Sequence, residues 1–244
     1  MLSRNELKLL RSLQQKKYRR EHRLFIVEGT KSILELPASD FVVKNVYATT
    51  AWMESNAHKI KIPITQVSVK ECEQISSLQT TPEVFALVEM KDNRLESISS
   101  KCLLLDDIKD AGNLGTLIRT ADWFGIYTVV CSPETVELYN PKTIQASMGS
   151  FTRVNVVYTD LKAFIQQLPE NYTVYGTFLE GNDIRKVKFN TYSAVVIGNE
   201  SKGISHEVAA YVKEKICIQR QSPYAVDSLN AAMATAIICY ALTS

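Results

Sequence analysis

Three short segments in the second half of this 244-residue chain hold side chains able to grip a phosphate and a nucleotide-like ligand. The first runs Asp110, Asn113, Gly115, Arg119. Gly115 lets a ligand or another backbone come close. Arg119, one helical turn further along the same face, offers a planar fork of donors that suits a phosphate. The second segment, Gly198-Asn-Glu200-Ser-Lys-Gly203, follows the apolar run Ala194–Ile197. Ligands of α/β sheets lie outside the carboxyl ends of strands, where such glycines allow access. The third, Ser228-Leu-Asn230, opens an apolar stretch with alanines at 231, 232, 234 and 236, and both polar residues can cap a helix there. Taken singly, each segment is equally served by a capped helix or a glycine turn, with Arg119 or Glu200 simply solvated. Neither a Gly-x-Gly-x-x-Gly fingerprint nor a P-loop is present, which argues against a dinucleotide-dependent dehydrogenase or an NTPase.

The elements that must position these groups follow from apolar patterning. Cys102–Leu105 is a continuous apolar run, as for a strand buried on both faces of a parallel sheet. Similar runs recur at 127–131, 154–158, 173–178, 194–198 and 215–218. Helical stretches separate most of them (114–124, 141–148, 161–168, 205–213), and 228–242 closes the chain. In this reading Asn113 caps the helix that Leu114 starts. Such alternation predicts a parallel sheet covered by helices. Before it, residues 1–90 read as a small α/β unit. An amphipathic basic helix lies within residues 1–20, strands at 24–27, 41–48, 64–67 and 84–89, and helices at 30–36, 51–59 and 70–78. The polar segment 91–101 reads as a linker.

Composition bounds the rest. Apolar content of 45% with 22% charged residues is that of a globular protein, and no apolar run approaches the roughly 18–20 residues needed to span a bilayer. Five cysteines without a CxxC spacing and three scattered histidines predict reduced thiols in a cytoplasmic protein, with no metal site. The net charge of +2 hides an asymmetry: residues 1–31 carry nine Lys/Arg against three Glu. Such density suits a polyanion, although a solvated helix face explains it as well.

In order and spacing the three segments resemble the SpoU (TrmH-like) branch of SPOUT RNA methyltransferases. The matching residues are Asp110, Asn113, Gly115, Arg119, Thr120, Ala121, Phe124 and Gly125, then Gly198, Glu200, Gly203, Ile204 and Ser205, then Ser228, Leu229 and Asn230. The first 90 residues, with Phe25-Ile-Val-Glu28-Gly29, resemble the family's L30e-like substrate-binding domain.

The resemblance implies an α/β fold, with residues 102–244 forming a parallel sheet whose C-terminal part is tied in a deep trefoil knot. It also implies S-adenosylmethionine as cofactor, a homodimer without metal or membrane contact, and methyl transfer to a ribose 2′-hydroxyl of RNA, ribosomal RNA before transfer RNA. By the same analogy Thr177, Phe178, Gly198, Ile218, Ser228 and Leu229 would hold the cofactor. Arg119 would grip the target phosphate or ribose, oriented with the cofactor by Asn113, Glu200, Ser228 and Asn230. Lys16, Lys17, Arg19, Arg20 and Arg23 would join Arg119 in binding RNA. The chain departs from the family pattern at Ala111-Gly112, where a proline is frequent, and at Gln219-Arg220. It departs again in a longer loop before Ser228 that contains Pro223-Tyr224. The competing readings are a non-catalytic RNA-binding or ribosome-associated module of the same fold, and a SPOUT enzyme methylating a base nitrogen. The arginine of the first segment argues against the latter.

Overall fold

Two sheets of different kinds arise from the two halves of the pattern. The computed structural model describes residues 2–76, 78, 80–95, 97–222 and 228–244. By contacts the chain divides into one unit of Met1–Asp92 with Glu137–Thr152, and a second of Asn93–Val136 with Arg153–Ser244.

The first unit contains α1 (Arg4–Ser12), α2 (Lys16–His22), β1 (Leu24–Glu28), α3 (Thr30–Glu35), β2 (Val43–Ala48), α4 (Thr50–Asn56), β3 (Ile64–Gln66), α5 (Val69–Ile75) and β4 (Val84–Glu89). Its sheet has the order β1-β4-β2-β3, with β4 antiparallel to both neighbours and β3 parallel to β2. Leu10 and Leu13 pack with Ile26, Tyr47, Cys72, Ile75 and Phe85, so the helical leucine spacing marks the buried face of α1.

The basic opening is two helices with a break between them, not one. Leu13 ends α1, Gln15 precedes α2, and α2 stops at Arg23 in left-handed backbone (φ 55°). Arg19 ties the break together: its guanidinium donates to the carbonyls of Leu13 and Gln14, 2.8 Å each, and pairs with Glu137. The segment Glu137–Thr152, read from sequence as part of the larger domain, packs in this unit. Its helix Pro141–Ser147 lies against β1, and the Phe25 ring sits 4.6 Å from Tyr139 and 6.1 Å from Phe151.

The second unit carries β5 (Lys101–Leu105), α6 (Ala111–Trp123), β6 (Thr128–Cys131), β7 (Asn155–Tyr158), α8 (Leu161–Gln166), β8 (Thr173–Asp183), β9 (Ser193–Ile197), α9 (His206–Ala209), β10 (Glu214–Cys217) and α10 (Ala231–Thr243); Pro141–Ser147 is α7 in this numbering. All six strands are parallel, in the order β10-β8-β9-β5-β6-β7. Residues 102–105, 128–131 and 193–197 are wholly buried, which is why those runs are apolar without alternation. The polar stretch read as a linker is fastened: Leu95 and Ile98 pack on the core of this unit. Asn93 both donates to and accepts from the backbone of Tyr158, 2.7 Å each, covering the open edge of β7.

Strand β8 and helix α9 also differ from the sequence reading. Strand β8 runs on to Asp183, because its pairing with β10 resumes after a register shift at Lys215/Ile216. Helix α9 is a single turn, ended as Lys213 N–H is drawn to the carbonyl of Val174.

Candidate functional site

The three segments converge at one end of the second unit's sheet. Strand β5 ends at Leu105 and the chain turns through Asp106 and Asp107 into α6. The cap of α6 is Asp110, whose carboxylate accepts from Asn113 N–H at 2.8 Å. Asn113 therefore stands three residues inside the helix and is not the cap that the sequence reading made it. The consequence is chemical, because both ends of its amide reach across the site. Its Nδ2 donates to Glu200 Oε1 at 2.6 Å, and its Oδ1 accepts from Asn230 Nδ2 at 3.0 Å. Residues 87 and 117 positions away in sequence thus meet on one amide.

Each partner is held by its own element. Glu200 rides on the loop after β9, which closes on itself through reciprocal backbone bonds between Asn199 and Gly203, 3.0 and 2.9 Å. Gly203 turns the loop in left-handed backbone (φ 69°). Gly198 is required for closeness: a Cβ there would lie 2.3 Å from both Gly203 C and Ile204 N. Asn230 is the N-cap of α10, accepting from the N–H groups of Ala232 and Met233 while its amide reaches Asn113. Asp106, which the sequence reading passed over, is buried, and its Oδ2 accepts from Ser205 N–H at 2.7 Å. The bond fastens the loop after β9 beside the end of β5.

Arg119 lies on the exposed side of α6 and makes no hydrogen bond or ion pair with the described residues. It is a cation presented outward, two turns from the cap. Of the residues read as cofactor-binding, Thr177, Phe178, Gly198 and Ile218 lie where β8 parts from β9 and at the ends of β9 and β10. Thr177 lies just past the last β8 residue paired with β9, its Oγ1 donating to Val196 O at 3.0 Å. Gly198 follows β9 and Ile218 follows β10. Phe178 packs on the core beneath, with Lys215 Nζ 5.0 Å from its ring centre. Ser228 and Leu229 lead into α10, and Leu229 is 47% exposed. Pro223 and Tyr224 lie outside the described residues. These groups fit an adenosyl ligand in kind. The apolar Ile218 and Leu229 are of a kind to cover a purine, and Gly198 lets the loop after β9 close tightly.

Of the cations read as RNA-binding, Lys16, Lys17, Arg20 and Arg23 are exposed in the first unit, and Arg23 pairs with Asp92 at 2.8 Å. Arg19 is a correction. It is 2% exposed and spends its donors on Leu13, Gln14 and Glu137, so it braces the α1–α2 corner and offers nothing to a ligand. Among the described residues no group of three His, Cys, Asp or Glu is arranged to hold a metal, and no helix is long and apolar enough to cross a membrane.

Known proteins match this chain in sequence and in fold. Residues 100–240 match the SpoU rRNA Methylase family, and residues 4–86 match the MRM3-like substrate binding domain. The 23S rRNA (guanosine(2553)-2′-O)-methyltransferase RlmP of Bacillus subtilis is 30% identical over 236 residues, covering 95% of this chain and 93% of its own. A TrmH-family protein of Porphyromonas gingivalis superposes with a TM-score of 0.87 at 33% identity, over 99% of this chain and 98% of that one. The AdoMet-bound rRNA methyltransferase of Sinorhizobium meliloti gives 0.87 at 28% identity, over 99% and 96%.

Proposed function

The chain belongs to the SpoU rRNA methylase family, and from that premise we propose how its residues carry out methyl transfer to a ribose 2′-hydroxyl of RNA. It is an S-adenosylmethionine-dependent RNA 2′-O-methyltransferase, and ribosomal RNA is favoured over transfer RNA as its substrate. The observation that carries the mechanism is the Asn113–Glu200–Asn230 network, which joins all three segments at bonding distance.

When bound, S-adenosylmethionine supplies an electrophilic methyl group. The chain must hold it, aim one hydroxyl at it and help remove that hydroxyl's proton. Thr177, Phe178, Gly198, Ile218, Ser228 and Leu229 hold the adenosyl and methionyl parts. Arg119 grips the phosphate or ribose of the target nucleotide. A guanidinium stays protonated in proteins, so Arg119 works by position and charge and not as the base. Asn113, Glu200 and Asn230 fix the wall against which the ribose is oriented, with Ser228 beside them. Orientation of this kind can supply much of the rate.

The first unit, residues 1–90 in the sequence reading, provides RNA contact through Lys16, Lys17, Arg20 and Arg23, and residues 102–244 perform the transfer. The strand order of the second unit and the family membership support a trefoil knot in its C-terminal part. Helix α10 supports a homodimer: Met233, Ile237 and Tyr240 leave 58%, 41% and 67% of their surfaces exposed along one side, a stripe for a second copy to cover. The protein works without metal, in the cytoplasm.

The test is nucleotide-resolution mapping of 2′-O-methylation in total RNA from cells with and without the gene. Loss of one ribose methyl from ribosomal RNA is expected. An unchanged map would overturn the proposal.

A further inference from the structure

Glu200 meets Asn113 at 2.6 Å only if the loop after β9 stands in one place relative to the start of α6. Asn199, adjacent to Glu200, joins those two features with every atom of its amide. Its Oδ1 accepts from the N–H groups of Ser201 and Lys202, at 2.9 and 3.0 Å, which gathers the tip of the loop. Its Nδ2 donates to the carbonyl of Asp107 at 2.8 Å and lies 3.4 Å from that residue's Oδ2.

Asp107 is itself a fixed point. It sits in left-handed backbone (φ 61°), a conformation that costs a residue with a Cβ and persists only when its surroundings enforce it. Its N–H donates to Ser132 Oγ at 3.0 Å, and Ile108 N–H donates to Thr135 Oγ1 at 3.2 Å. Lys109 pairs with its carboxylate. Three residues beyond Asp107, Asp110 caps the helix that carries Asn113. Asn199 therefore ties the Glu200 loop to the turn that launches α6.

We propose that Asn199 is a positioning residue for methyl transfer, acting through Glu200 by its bond to the Asp107 carbonyl. The inference rests on the role given above to Glu200, and the test separates the two. Methyl incorporation from radiolabelled S-adenosylmethionine is measured on ribosomal RNA isolated from cells lacking the gene. The proteins are wild type, Asn199→Ala, Asn199→Asp, Glu200→Ala and the Asn199→Ala/Glu200→Ala pair. Asn199→Asp keeps the acceptor that gathers the loop and replaces the donor toward Asp107 with an oxygen.

Both Asn199 variants should lose about tenfold or more in kcat, as misplacement of an orienting group does, with KM for RNA within about twofold of wild type because uniform binding is untouched. The double variant should be no slower than Glu200→Ala, since the two residues act as one unit. Wild-type kcat in Asn199→Asp would overturn the proposal, and so would a further loss from Asn199→Ala in the Glu200→Ala background. If Asn199→Ala melts below the assay temperature, Asn199→Asp decides alone. Full turnover in Glu200→Ala would overturn the role of Glu200 itself, and with it this inference.

Discussion

Arg119 is exposed and without a bond among the described residues, so its removal should cost the fold little, and on the role proposed for it the reaction much. Arg119→Ala should unfold within about 0.5 kcal/mol of wild type, as surface substitutions do, while single-turnover methyl transfer falls on the order of 100-fold or more. Arg119→Lys should not restore it, because an ammonium lacks the planar fork that meets a phosphate. Turnover within twofold of wild type in either variant would remove Arg119 from the site. Gly198→Ala tests the other wall: the added methyl has backbone at 2.3 Å and nowhere to go. Calorimetry should show loss of S-adenosylmethionine binding together with a lower melting temperature. At this scale the meeting of Asn113, Glu200 and Asn230 was legible, because each is a polar residue set at the edge of an apolar run. Arg19 was not. Composition cannot say which cation in a basic run turns inward, and its partner Glu137 lies 118 positions away.

Helix α6 separates a residue that builds an element from one that uses it. Asp110 caps the helix and Asn113 reaches out of its first turn. Replacing Asp110 with Ala should lower stability by about 1 kcal/mol, the usual cost of a lost N-cap. Replacing Asn113 with Ala should leave the urea midpoint nearly unchanged and lower kcat more than the cap variant does. The reverse ranking would return Asn113 to a capping role. The start of α6 was misread because Ala111-Gly112 carries no apolar period and glycine disfavours helix, so the pattern became visible only at Leu114. The cap, three residues before the N–H it accepts, is the signal that could have placed it. Strands were easier to read. Buried on both faces, β5, β6 and β9 declare themselves as apolar runs, while the extension of β8 past Phe178 is exposed from Leu179 to Asn182 and depends on a register shift that no local pattern records.

Burial holds four thiols, Cys72, Cys102, Cys131 and Cys239, and the phenols of Tyr47, Tyr139 and Tyr172 in their neutral forms, and that sets an alkaline limit. Burial pushes Cys72 up to about 11 and Cys102 and Cys239 to about 12, from an ordinary 9.0. Burial likewise raises Tyr47 from 10.0 to about 12. A raised pKa means that the folded chain keeps protons the unfolded chain gives up. The stabilisation is therefore complete below pH 9 and is lost as pH rises toward 12. Denaturant midpoints should be flat in these groups from pH 7 to 8.5 and fall steadily from pH 9.5 to 11. A midpoint constant to pH 11 would mean the thiols reach solvent.

The same scale explains why domain boundaries resist reading from sequence. Glu137–Thr152 sits among the strands of the second unit in chain order, yet Tyr139 and Phe151 pack on Phe25 of β1. Truncating a buried aromatic costs about 3–5 kcal/mol, and here the loss should appear where the ring packs. Phe151→Ala should raise amide exchange across Leu24–Glu28 and its partner β4 while Cys102–Leu105 keeps its protection. Exchange rising in β5 and not in β1 would show that residues 137–152 belong with the chain segments on either side of them.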